Sequence, residues 1–334
     1  GKDIPFEELR RQYDSVYISI GAHTDKKTGI PGEDSQGVVS AVEMLRAIGD
    51  NEMPDFTGKK VVVIGGGNVA MDVTRSSVRL GADKVSCVYR RRQVDMTALP
   101  EEVEGAVAEG VELLTLMAPV RIEADENGHA VALWVQPQMP GDIRGGRPAP
   151  KTADQPEVRI PADVVVFAIG QGIETNAFEH AGIPIHRGTI DALSDSKLAK
   201  ADMDGIFAGG DCVTGPASAI KAIAAGKVAA ANIDEYLGFR HEITVDVTIP
   251  DPDLRDRTPH GRVNTTEREA SERKHDFVCI ECGLSQQGAL EESARCLCCD
   301  HFGYGGGTHP ALAGAHARAG LRLEPVGGVA PGFD

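Results

Sequence analysis

Two stretches of this chain place chemically capable residue types at usable spacings. The first is Lys59-Lys60-Val61-Val62-Val63-Ile64-Gly65-Gly66-Gly67-Asn68-Val69-Ala70, an apolar run that enters a glycine-rich turn. The second is Cys279-Ile280-Glu281-Cys282, followed after thirteen residues by Cys296-Leu297-Cys298-Cys299. The first suits the cradling of a pyrophosphate, and the second suits the gripping of a metal ion or cluster.

At the glycine turn, Gly65 and Gly67 lack the Cβ atoms that would hold a phosphate away from the backbone. A helix opening near Asn68 and Val69 then offers unpaired N–H groups and the positive end of its dipole. Ala70 is small enough to let helix and strand pack closely. About 25 residues on, where a second strand (Val85, Cys87 and Tyr89) should end, the chain reads Tyr89-Arg90-Arg91-Arg92. A carboxylate at that place favours the ribose 2′-hydroxyl of NAD, whereas guanidinium groups favour the 2′-phosphate of NADP. NADP(H) is therefore expected and NAD(H) remains open. The bland alternatives are an inert strand-to-helix turn and a solvated basic tip.

In the cysteine cluster the outer pairs read C-x2-C-x13-C-x2-C. Thiolates separated by two residues can hold one centre from a single turn, and two such turns complete four-fold coordination. Cys279, Cys282, Cys296 and Cys299 are the candidate ligands, with Cys298 able to replace either neighbour. An iron–sulfur cluster is expected, with zinc or free thiols as alternatives. Between the pairs, Leu290, Ala294 and Leu297 fit one face of a short helix. Cys87 and Cys212 are isolated and read as buried thiols.

The elements that must position these groups read as α/β. A short amphipathic helix over Ile4 to Tyr13 precedes a strand over Val16 to Ile20, and a helix spans Ser40 to Ile48. The helix after the turn ends at Gly81; another opens at Pro100 and ends at Gly110. Two long strands follow, Val111 to Ala124 and His129 to Gln138, with a hairpin signal at Asn127-Gly128. Residues 139–157 read as a surface loop and Asp163 to Ile169 as a buried strand. Gly205 to Asp211 is a strand ending in Gly-Gly-Asp, before an alanine-rich helix from about Ala217 to Leu237. Residues 239–276 read as an extended arm, and the last segment promises little regular structure.

Net charge is −16 and the pI near 5.1, which disfavours nucleic-acid binding. No apolar run reaches the ~20 residues a membrane crossing needs, and no signal segment opens the chain. A cytoplasmic protein is expected.

The ordered set Tyr13 to Ala22, the Gly65 turn, Tyr89 to Arg92, Met96 to Glu109, Ala168-Ile169-Gly170-Gln171 and Phe207 to Asp211 resembles the small (beta) subunit of NADPH-dependent glutamate synthase and its FAD-containing relatives. The resemblance covers residues 1–238, and the arm with Arg295 to Asp300 extends it to members that partner iron–sulfur subunits. It implies two Rossmann-like dinucleotide-binding domains of the pyridine-nucleotide–disulfide reductase fold, the FAD domain incomplete, plus a small cysteine-rich C-terminal metal module. The implied divisions are 1–57 and 171–238 for FAD, 58–170 for NAD(P) with a β-hairpin insert, 239–276 for the arm, 277–310 for the metal module and 311–334 for the tail. By the same resemblance, Gly21 and Ala22 lie at the crossover between domains, and Gly210, Asp211, Ala217, Ser218 and Ala219 lie near the flavin. Gly65, Gly66, Gly67, Asn68, Val69, Arg90 and Arg91 hold the nicotinamide nucleotide, with Gly170 and Gln171 nearby.

Family members open with an FAD-binding G-x-G-x-x-G that these residues lack, so weak or no FAD binding by the 334 residues alone is expected. No C-x-x-C occurs within residues 1–238, so disulfide reduction is not expected of them. Hydride passage between nicotinamide and flavin needs juxtaposition, and no catalytic proton-transfer residue is nominated. The implied function is hydride exchange between NADP(H) and FAD, with electrons passed to an iron–sulfur or large catalytic subunit. The competing readings are a non-catalytic nucleotide-binding assembly module with a structural zinc site, and a simple reductase without a partner.

Overall fold

The computed structural model describes residues 3–200, 202–241 and 261–295. They fall into two compact units: Thr24–Gln171 with Thr265–Gly283, and the described parts of 1–23, 172–264 and 284–334.

The first unit is built on a five-stranded parallel sheet. Its strands are β1 (Val38–Ser40), β2 (Lys60–Ile64), β3 (Lys84–Tyr89) and β4 (Glu112–Thr115), joined by a later strand, Val164–Phe167. Three helices connect them: α1 (Ala41–Gly49), α2 (Asn68–Arg79) and α3 (Pro100–Ala108). After β4 come β5 (Met117–Ala124), β6 (Ala130–Arg144), β7 (Arg147–Thr152) and β8 (Val158–Pro161), so that Val164–Phe167 is β9. The parallel order is β1-β9-β2-β3-β4, and an antiparallel sheet runs β8-β6-β5 with β7 on β6.

The apolar run of β2 is continuous because both of its faces are buried. Val61 and Val63 pack with Ala70, Met71 and Val73 of α2, while Val62 and Ile64 pack with Leu133 and Val135 of the antiparallel sheet. The parallel sheet is thus sandwiched between helices and the antiparallel layer. The helix limits follow local chemistry. The Ser40 hydroxyl accepts from the Glu43 N–H (3.0 Å) to cap α1, and Pro100 opens α3 where no donor is needed. Gly81 and Gly110 take the positive φ that ends α2 and α3.

Four sequence expectations change. The strand expected over Val111 to Ala124 is two strands, because Leu116 at φ +58° turns the chain from the parallel sheet into the antiparallel one. The surface loop expected over 139–157 contains the outer end of β6 and all of β7. Pro140 lies opposite Pro150 there, so two residues without N–H donors face each other and little ladder bonding is lost. β1 went unrecognised since three residues show no period; it pairs Val38 with Val165 and Val39 with Val166. The stretch 265–276, expected as arm, groups with the unit of the parallel sheet, as do residues 24–57, expected in the FAD domain.

In the second unit Val16–Ile18 pairs in parallel with Ile206–Ala208 over a core of Phe6, Ile183, Ile190, Leu198 and Met203. Ser218 caps the helix Ala219–Tyr236. The helix expected between the cysteine pairs exists as Gln286–Ala294, but Leu290 is 58% exposed and does not form its buried face. Leu297, Cys296, Cys298, Cys299 and the tail lie outside the described residues.

Candidate functional site: the glycine turn and its supports

The C-terminal ends of β9, β2 and β3 lie side by side, since the three strands are parallel neighbours. The chain leaves β2 towards β3 on one side and meets β9 on the other. The strand order reverses there, and open α/β sheets bind ligands at such switch points. Gly65, Tyr89 and Ala168 all stand there.

The turn has little freedom. Gly65 sits at φ +156°, and a Cβ on it would lie 2.3 Å from the Ala168 carbonyl oxygen. A Cβ on Gly66 would lie 2.5 Å from the Tyr89 ring. The Gly66 carbonyl accepts from Thr97 N (2.9 Å) and Ala98 N (3.1 Å), and Asn68 Oδ1 accepts from Leu99 N (2.9 Å). Gly67 is the extended N-cap of α2, and Ala70 N and Met71 N are the first donors to close back, both onto its carbonyl (3.0 and 3.3 Å). The amides of Asn68 and Val69 therefore precede the intrahelical ladder, as anion binding at a helix start requires.

The three arginines behave differently. Arg92 forms a two-point pair with Asp95 (2.8 and 2.9 Å), which raises its own pKa and lowers that of Asp95. Arg91 donates from Nε to the Pro148 carbonyl (3.1 Å). Arg90 is exposed and has no partner among the described residues. The two arginines named from sequence are thus the two without an acidic partner. Gly170 and Gln171 follow β9 at the same sheet end, with Gly170 at φ +127°.

Sequence reasoning missed three supports. Tyr89 lies beneath Gly66 and donates its hydroxyl to the Asp95 carbonyl (2.8 Å). Residues 97–99 clasp the turn. Behind α2 lies a buried ionic cluster: Glu109, with a fully buried side chain, accepts from Arg75 (2.8 Å) and Arg79 (2.7 Å) and pairs with Arg273 Nε (2.9 Å). Arg75 also meets Glu102 (2.5 Å), and Arg273 pairs with Glu267. Burial pushes the Glu109 pKa up, but the hydrogen bonds from Arg79 and Arg75 outweigh it and hold the carboxyl below its ordinary value. The signal available in sequence was weak: Arg75 and Arg79 lie four apart, on one face of the helix.

In the second unit Gly21, Ala22, Gly210 and Asp211 follow the ends of the paired strands Val16–Ile18 and Ile206–Ala208. Asp211 opens a four-residue helix, and its Oδ1 accepts from the Ala217 N–H (3.2 Å). No hydrogen bond to its second oxygen, Oδ2, occurs among the described residues. Gly210, at φ +76°, has open space around the missing Cβ, so the backbone can approach a ligand closely. Ala217, Ser218 and Ala219 are exposed. Cys212 is buried between the Ile18 and Gly209 carbonyls, and burial pushes its pKa up despite surrounding backbone hydrogen bonds. Burial pushes Cys87 to about 12. Cys279 and Cys282 are exposed free thiols, and no group of three or more metal-ligating side chains occurs among the described residues.

The chain belongs to the pyridine nucleotide-disulphide oxidoreductase family, whose pattern it matches over residues 6–226. It is 34% identical to the NADP(+)-dependent formate dehydrogenase subunit beta of Moorella thermoacetica, an alignment covering 91% of this chain and 45% of the relative. It is 36% identical to the glutamate synthase [NADPH] small chain of Escherichia coli (strain K12), over 71% of this chain and 53% of that one. The chain thus spans about half the length of these relatives. Its fold is that of FprA from Mycobacterium tuberculosis, solved in complex with NADPH, with a TM-score of 0.58 at 20% identity over 70% of this chain and 66% of FprA. The expected mixed α/β fold and family are confirmed. No helix among the described residues is long and apolar enough to cross a membrane.

Proposed function

We propose that the chain is the electron-entry part of an NADP(H)-dependent flavoprotein subunit. The nucleotide pyrophosphate rests on the amides from Gly67 to Val69, above the closely packed Gly65 and Gly66. Arg90 and Arg91 take the 2′-phosphate, and Gly170 and Gln171 border the nicotinamide end. The carrying observation is the turn itself: its glycines are required by Ala168 and Tyr89, and its helix-start amides stay clear of the chain's own carbonyls.

FAD is the second expected group. Gly21, Ala22, Gly210, Asp211, Ala217, Ser218 and Ala219 would hold it, with Asp211 Oδ2 receiving a ribityl hydroxyl. The open space at Gly210 and the exposed start of the helix Ala219–Tyr236 support that assignment. When bound, FAD accepts a hydride equivalent from the nicotinamide and releases electrons singly. The chain's residues bind and orient, and none is asked to move a proton.

Electrons then leave for an iron–sulfur or large catalytic subunit, in the cytoplasm. The names of the two relatives, a beta subunit and a small chain, support a multi-subunit setting. Cys279 and Cys282, with Cys296 and Cys299, are proposed to hold an iron–sulfur cluster, zinc being the alternative. The exposure of the first two thiols leaves them open to a metal. The test is anaerobic addition of NADPH to the flavin-loaded full-length protein. Bleaching of the flavin absorbance supports the reading, and a bound flavin that NADPH cannot reduce overturns it.

A further inference from the structure

The outer arm of β6 and β7, residues 139–152, projects beyond the antiparallel sheet, and nothing so far gives it a task. Its tip meets the arginine segment at two points. Pro148 offers its carbonyl to Arg91 Nε (3.1 Å), and Arg147 donates from Nη1 to the Asp95 carbonyl (3.2 Å). That same carbonyl receives the Tyr89 hydroxyl, and the Tyr89 ring lies under Gly66. Arg90, Arg91, Arg92 and Asp95 line one depression together with Met139, Pro140, Pro148 and Pro150 of the arm.

We infer that this arm is a specificity element: by tethering Arg91 it prepares the site for the 2′-phosphate and so favours NADP(H) over NAD(H). The inference rests on the reading of the Gly65 turn as an NADP(H) site and names what sets its selectivity.

A free arginine samples many rotamers and loses them when it grips a phosphate. Arg91 has already surrendered much of that freedom to Pro148, through the one N–H that a two-point grip by the terminal nitrogens does not need. Its terminal nitrogens make no hydrogen bond among the described residues. Arg92 cannot serve the same way, because Asp95 occupies it from two sides. The bond from Arg147 to Asp95 holds the segment that carries Arg91, and it adds a third guanidinium without its own carboxylate. Proline suits position 148: its ring fixes φ, and the site uses its carbonyl but not the N–H it lacks. NAD(H), with a bare 2′-hydroxyl, gains nothing from a fixed guanidinium. The arm therefore separates the two nucleotides without touching the part they share.

The experiment measures NADP+ and NAD+ binding calorimetrically on the full chain and five variants: three single changes, Arg91→Ala combined with the first of them, and Arg90→Ala. In that first change, residues 141–149 are replaced by Asn-Gly, closing a two-residue hairpin at the Pro140–Pro150 pair. The other two are Arg147→Ala, which keeps the fold of the arm, and Arg91→Ala. Ordering one long side chain is worth roughly a 3- to 10-fold change in affinity. The expected result is a loss of that size for NADP+ in the shortened chain, a smaller loss in Arg147→Ala, and unchanged NAD+ affinity in both. Shortening the arm in an Arg91→Ala background should cost little more than Arg91→Ala alone, because the arm acts through Arg91. Equal loss of both nucleotides makes the arm a structural prop and overturns the inference, as does an unchanged ratio. If Arg91→Ala and Arg90→Ala leave NADP+ binding untouched, the site reading itself fails and takes the inference with it.

Discussion

The molecule contains two glycine turns at strand ends, and they differ in how much of their surroundings this chain supplies. Around Gly65-Gly66-Gly67 almost every neighbour is fixed by the chain itself: Ala168 against Gly65, Tyr89 against Gly66, residues 97–99 across the top and the Glu109 cluster behind α2. Around Gly209-Gly210-Asp211, Tyr17 crowds Gly209, but Gly210 faces open space and Asp211 holds a single backbone amide. The helix that follows shows Ile220 at 79% and Ile223 at 61% exposure. The first turn is closely supported by its own chain, and the second presents a carboxylate and an apolar helix face without their complement among the described residues. A nicotinamide nucleotide should therefore bind this chain without help from flavin.

The largest test of that contrast is Glu109→Ala. It strips the shared carboxylate from Arg75, Arg79 and Arg273, and removing one partner from a buried ionic group costs about 3–5 kcal/mol. Denaturant unfolding should register that loss, and a change below about 1 kcal/mol would mean the cluster does not support the first turn. The same group sets a pH dependence. Its folded pKa lies below the ordinary value, so its contribution is fully present above about pH 4.5 and fades as pH falls through the folded value. Mild acid should therefore loosen the native unit containing Arg75, and Glu109→Gln should flatten that part of the stability profile.

A pair of substitutions sharpens the comparison next. Gly66→Ala sets a Cβ against the Tyr89 ring and should cost about 2 kcal/mol, with NADP+ affinity down roughly tenfold. Gly210→Ala meets no atom but sits at φ +76° and ψ −156°, a conformation kept for glycine, so it should cost about 1–3 kcal/mol of stability while leaving NADP+ affinity unchanged. Nucleotide titrations decide, and a loss of NADP+ affinity in Gly210→Ala but not in Gly66→Ala would break the contrast. Smaller again is Asp211→Ala, which removes the bond to Ala217 at about 1 kcal/mol and should leave NADP+ titrations untouched. The least disruptive probe is thiol labelling followed by peptide mass spectrometry. Cys279 and Cys282 should react first, while Cys87, pushed to about 12, waits for unfolding.

The first turn was largely legible in the sequence, because its logic is local. An apolar run, glycines at fixed offsets and a helix start all lie within Lys60 to Arg79, and Arg90 and Arg91 stand one strand away. What stayed hidden depends on contacts between distant positions. Nothing near Tyr89 says that its ring lies under Gly66. Glu109 and Arg273 are 164 residues apart in the chain, and their charges read as solvent-facing until the fold buries them. The arm at 139–152 was hidden for another reason: its prolines and glycines look like loop chemistry, and only the facing of Pro140 with Pro150 makes a strand pair of them.

The most direct measurement is a crystal structure of this chain grown with NADP+. The account predicts the pyrophosphate on the Gly67, Asn68 and Val69 amides with the 2′-phosphate between Arg90 and Arg91. A nucleotide bound elsewhere, or one whose 2′-phosphate meets neither arginine, would contradict it.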